Sequence, residues 1–182
     1  MAKVVYSWVD FETGGLDEKT DGLVSVAVIR LDADLNEVDR TYLELYEEGK
    51  IYTQGALTVN GYKLDYLKEH GLRPDVFIPM LHDLIDGCIM GNHNSAFDCK
   101  WLNARGWNIQ ESCDTMVMSL GLYPYSKAKL GIAASREGIE VKDAHNALGD
   151  TAMTVELFKK YVARKPEYLQ PKPIVWDRFK RW

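Results

Sequence analysis

Residues 4–9 (VVYSWV) are apolar and rich in β-forming side chains, and they run into Asp10, which predicts a strand ending there. Gly14 and Gly15 then break the pattern, as glycine pairs do. A second β-branched run at residues 23–31 (LVSVAVIRL) and an alternating stretch at residues 40–46 predict two more strands. Asp34, Leu35 and Asn36 between them form a hairpin-turn signal, so the chain opens as a three-strand meander. The period then lengthens. Leu57, Tyr62, Leu64 and Leu67 recur at loosely helical spacing over residues 58–68. Residues 74–85 carry a clear helical stripe of Val76, Phe77, Met80, Leu81, Leu84 and Ile85, with a proline at the start, where helices tolerate it. Residues 88–90 read as a short buried strand, 95–104 as a helix closed by Gly106, and 113–118 as a short strand or a helix start. A helix is expected over 128–137, and a final helical segment runs from His145 to Ala163. Pro166, Pro171 and Pro173 predict an end to regular structure beyond it. A meander followed by alternating helices and strands predicts an α/β fold, a mixed sheet flanked by helices. Ligands on such sheets sit beyond the strand ends, near the switch in strand order. The reading divides the chain into a domain at 1–164 and a basic, aromatic tail at 165–182.

Composition narrows this picture. With 182 residues, 46% of them hydrophobic, the chain can bury one sizeable core. No stretch approaches the roughly 18 uncharged apolar residues of a membrane span, and the opening MAKVVYSWVDFETGG does not read as a signal peptide. Cys88, Cys99 and Cys113 are odd in number and lack a CxxC spacing, so the expectation is reduced thiols in a cytoplasmic protein and no zinc site. The net charge is −5, yet residues 159–182 hold eight Lys or Arg against two acids, which leaves the rest of the chain more acidic than the whole. An acidic body suits carboxylates gathered around cations. The tail could touch phosphates, stack on single-stranded nucleic acid, dock on a partner such as a polymerase, or simply pack back on the domain.

Three acidic clusters carry the candidate chemistry. Asp10 and Glu12 lie two apart on the predicted strand, so both carboxylates point the same way. Side by side they repel, and their pKa values rise, unless a hard divalent ion such as Mg²⁺ sits between them. Asp98 falls in the first turn of a predicted helix that Asn94 or Ser95 can cap. Phe97 and Trp101, four apart, are placed to pack together, with base stacking by Phe97 as the sharper alternative. His145 and Asp150 would lie about 140° apart on a continuous helix, so a shared site requires His145 to precede the helix or start it. An exposed histidine there suits a general base near neutral pH.

Together these residues resemble the DEDD exonuclease superfamily, in the histidine-bearing (DEDDh) branch typified by the proofreading subunit of bacterial DNA polymerase III. The motif D-x-E-T-T-G-L stands as Asp10-Phe11-Glu12-Thr13-Gly14-Gly15-Leu16, H-N-A-x-F-D as His93-Asn94-Ser95-Ala96-Phe97-Asp98, and H-x-A-x-x-D as His145-Asn146-Ala147-Leu148-Gly149-Asp150. His145, five before the last Asp, replaces the Tyr four before it that marks the other branch. The similarity spans residues 4–164. It implies an RNase H-like fold with a five-stranded mixed sheet and a two-metal-ion 3′→5′ exonuclease using Mg²⁺ or Mn²⁺. Asp10, Glu12, Asp98 and Asp150 would be the metal ligands and His145 the general base. Thr13, Gly14, Leu16, Asn60, Asn94 and Phe97 would touch the terminal nucleotide. The expected substrate is a DNA 3′ end, with RNA ends as the alternative and a non-catalytic binding module as a lesser one. A polymerase or other replication protein is the expected partner. Gly14 stands where relatives have a second Thr, Ser95 where they have Ala, and Asn60-Gly61 where many have His-Gly.

Overall fold

The computed structural model describes residues 3–141 and 146–176. Three long strands open the chain: β1 (Val4–Thr13), β2 (Leu23–Asp32) and β3 (Glu37–Glu44). Asp32 Oδ1 accepts the amides of Asp34 and Asn36, which closes the β2–β3 hairpin. β1 runs past Asp10 to Thr13 because it stays paired with β2 throughout, from Val4 opposite Asp32 to Thr13 opposite Leu23. Two short helices, α1 (Gln54–Asn60) and α2 (Leu64–His70), occupy the region read as one loose helix. The break falls at Gly61, whose φ of 73° is the left-handed conformation that glycine reaches without strain. α3 (Pro74–Ile85) has the expected bounds and buries Phe77, Leu81 and Ile85.

Next come β4 (Ile89–Asn92), α4 (Ser95–Asn103), β5 (Glu111–Asp114), α5 (Thr115–Leu122), α6 (Leu130–Arg136) and α7 (Ala147–Arg164). The 113–118 segment is both things the sequence allowed, a strand end and a helix start. Asp114 makes the join, because its carboxylate caps α5 by accepting from the amides of Met116 and Val117.

The sheet has six strands in the order β3-β2-β1-β4-β5-β6, which corrects the expected five. β1, β4 and β5 run parallel, while β2 runs antiparallel to both of its neighbours, β1 and β3. The extra strand, β6 (Lys172–Pro173), lies in the segment where the prolines were expected to end regular structure. It pairs antiparallel with β5, Pro173 opposite Glu111. As the outermost strand it can carry a proline, which has no N–H to donate inward.

Helices cover both faces. Val9 and Phe11 of β1 join Phe77, Leu81, Trp101 and Leu102 of α3 and α4 in one core. Tyr6 and Trp8 join Leu157, Phe158 and Tyr161 of α7 in the other. The ring centroids of Trp8 and Phe158 are 4.6 Å apart. Gly91 on β4 lies against the Trp8 indole so closely that a Cβ there would come within 2.4 Å of it. Two apolar cores therefore clamp β1 in register and fix where its far end, with Asp10 and Glu12, must lie.

Candidate active site

Asp10 and Glu12 project from the α7 side of β1, continuing the line of Tyr6 and Trp8. Asp150 arrives from the first turn of α7, and oxygen atoms of all three carboxylates lie within 4.8 Å of one another. α7 starts at Ala147, with the Asn146 side chain accepting from the amides of Leu148 and Gly149. The expected general base, His145, lies outside the described residues. Asp98 stands in the first turn of α4, buried, with Oδ1 accepting the Phe11 amide at 3.0 Å. It is not one of the three clustered acids, but its charge acts on Asp10.

These groups strongly perturb one another. Burial, then the charges of Asp98, Glu12 and Asp150, holds the Asp10 carboxyl well above the usual carboxylate range. Burial and the neighbouring Asp150 push Glu12 up to about 7. Asp98 is also raised, chiefly by burial, although the Phe11 amide favours its charged form. Like charges crowded under a helix are costly without a counter-ion, and an all-oxygen donor set of this kind suits a hard divalent cation.

The exonuclease family model of RNase T type matches residues 7–158, which contain all four acids. The chain belongs to this exonuclease family. The family is of the DEDD type and groups hydrolytic nucleases. Among solved structures, the fold resembles Escherichia coli exonuclease I with a TM-score of 0.77 at 20% identity, covering 91% of this chain and 42% of that one. Exonuclease I from the moderate thermophile Methylocaldum szegediense matches with a TM-score of 0.73 at 22% identity, covering 90% of this chain and 41% of that one. The chain thus spans less than half the length of these relatives, and at such identities the likeness establishes the shared RNase H-like fold. No helix among the described residues is long and apolar enough to cross a membrane.

The other residues expected to touch the substrate are tied to one another by side-chain contacts. Leu16 is exposed, and Lys100 Nζ donates to its carbonyl at 2.7 Å while lying 5.2 Å from the Phe97 ring centroid. Lys100 therefore ties the two expected base contacts together. It carried no motif of its own, although it sits two residues after Asp98. Phe97 also packs on Trp101, with ring centroids 6.3 Å apart. Asn60 Nδ2 donates to the Thr13 carbonyl at 2.9 Å, while Thr13 Oγ1 donates to the Gly15 carbonyl. Gly14 is enclosed: its N–H donates to the Gly22 carbonyl, and its own carbonyl accepts from the Thr53 amide and hydroxyl. A Cβ on Gly14 would come within 2.7 Å of the Tyr52 ring, which explains glycine where relatives carry threonine.

Asn94 takes the N-cap position of α4 at φ 77°, but its side chain makes no capping bond. Asp114 supplies the cap instead, accepting the Asn94 and Ser95 amides at 3.0 and 3.1 Å. One carboxylate thus holds the starts of α4 and α5, and through α4 it places Asp98. The sequence signal for it was an acid directly before a helical run. His93 is locked beside it, with Nε2 donating to the Ala128 carbonyl and Nδ1 accepting from Thr115 Oγ1. Burial lowers its pKa, which keeps the ring neutral and consistent with that bonding.

Proposed function

We propose that the protein is a divalent-metal-dependent 3′→5′ exonuclease that releases nucleoside 5′-monophosphates from DNA ends. The observation that carries this reading is the convergence of Asp10, Glu12 and Asp150 within 4.8 Å. Asp98, buried beside them, completes the acidic set. These four residues would hold two Mg²⁺ or Mn²⁺ ions, which when bound acidify a water and stabilise charge on the phosphate and leaving oxygens. His145 takes the proton from the attacking water. Attack at phosphorus breaks the bond to the 3′ oxygen of the preceding nucleotide. Thr13, Asn60, Leu16 and Phe97 seat the terminal nucleoside, and the rigid β1 and the capped α4 fix the carboxylates, so little reorganisation is needed on binding.

DNA is preferred as the substrate because E. coli exonuclease I, a structural relative, is known in complex with dT13 and dA16 oligonucleotides. The test uses 5′-labelled DNA and RNA strands of matched sequence in Mg²⁺, with EDTA as control. DNA shortened stepwise from its 3′ end, faster than RNA, and arrested by EDTA is the expected result. Faster shortening of RNA would reassign the substrate, since a nucleic-acid site must accept or reject the 2′-hydroxyl. No shortening of either strand would overturn the proposal.

A further inference from the structure

Beside Glu12, on the side away from α4, a cleft of about 460 Å³ opens between the start of α7 and the α1–α2 turn. Cross-strand pairing builds its floor. Glu12 lies opposite Ser25, and Ser25 opposite Glu44, so the three share one face of β1, β2 and β3. Tyr42, two residues before Glu44, stands on that same face at the sheet edge. Tyr62 and Tyr66 form the opposite wall. Glu44 accepts both their hydroxyls, at 3.0 Å from Tyr62 and 2.7 Å from Tyr66, and Tyr62 also bonds Tyr42. The hydroxyls are thus directed at one another and at Glu44, which fixes three rings in a preformed wall. Tyr42 and Tyr66 remain exposed. The Ser25 hydroxyl on the floor is buried and has no hydrogen-bond partner among the described residues. Asn60 borders this cleft and also binds the Thr13 carbonyl, so the cleft runs directly into the terminal-nucleoside site.

A strand whose scissile phosphate meets Asp10, Glu12 and Asp150, with its terminal nucleoside at Leu16 and Phe97, must continue away from α4. The tyrosine-walled cleft lies beside Glu12 on that path. The geometry points to this cleft as the seat of the nucleoside immediately 5′ to the scissile phosphate, with its base against the rings of Tyr42 and Tyr66. This assignment rests on the exonuclease reading above. Aromatic rings suit it because every base offers a π-face, so contact there favours substrate without selecting sequence. Lys63 at the cleft is the lining cation, placed for a phosphate further along the strand.

The test compares a thymidine octamer with the same strand lacking the base at its penultimate position, both 5′-labelled and in Mg²⁺. For the wild-type protein, KM for the abasic strand should be about tenfold higher, the scale of one base–aromatic contact. The double variant Tyr42→Ala/Tyr66→Ala should give that higher KM on both strands and no longer distinguish them. Tyr42→Phe/Tyr66→Phe, which keeps both rings and should keep the fold, should discriminate as wild type does. Equal KM values for the two strands in wild type, or full discrimination retained in the alanine variant, would overturn the assignment. Failure of wild type to shorten either strand would instead defeat the exonuclease reading itself.

Discussion

The two faces of β1 are made by the same ten residues and end differently. On one, Val9 and Phe11 are apolar and sealed under α3 and α4. On the other, Tyr6 and Trp8 pack under α7, and the next two residues on that face are Asp10 and Glu12. The apolar pair on the first face holds the strand. The second holds for half its length and then presents carboxylates. A slip of one residue would exchange the faces and drive both acids into the α3 core, so the hydrophobic pattern fixes the catalytic register as firmly as the fold. The electrostatic strain at the far end is sustained by burial elsewhere along the same strand.

Phe11→Ala on the holding face should cost about 3–5 kcal/mol, the usual loss for a buried aromatic, read as a lowered denaturant midpoint. A loss near zero would show that the α3 face does not clamp the strand. Gly91→Ala should cost about 1–3 kcal/mol, because the new methyl must displace the Trp8 indole. An unchanged melting temperature would mean that the α7 face yields easily.

A third effect concerns the carboxylates alone. Glu12 is raised from 4.5 to about 7 by burial and by Asp150. A carboxyl raised on folding favours the folded state below its unfolded pKa, and this contribution disappears as pH rises through the folded value. In EDTA, stability should therefore fall between about pH 5 and about pH 8, and Glu12→Gln should flatten part of that fall. Saturating Mg²⁺ should restore stability at the upper end, since an ion that binds only the folded state stabilises it. A wild-type profile identical to that of Glu12→Gln would contradict the crowding of acids described here.

Much of this was legible in the sequence because it follows short-range rules. The period-two runs predicted the meander, the stripe from Pro74 to Ile85 predicted α3, and the spaced motifs singled out Asp10, Glu12 and Asp150, which the fold brings together. The missing parts depend on contacts distant in sequence. β6 exists because the β5 edge accepts a two-residue partner that local proline rules argue against. Asp114 serves two helices only because β5 ends beside β4. The tyrosine wall forms because β3 and the α1–α2 turn meet through Glu44, which no local pattern specifies.

The central claim is that the acids on β1 and α7 form a metal-dependent catalytic centre. The most direct measurement follows a 5′-labelled DNA strand in Mg²⁺ with wild type, Asp10→Ala and Asp150→Ala side by side, each first shown to be folded by its melting curve. The account predicts stepwise shortening by wild type and a loss of at least about 10²-fold in rate for each variant. Wild-type rates in both folded variants would contradict it.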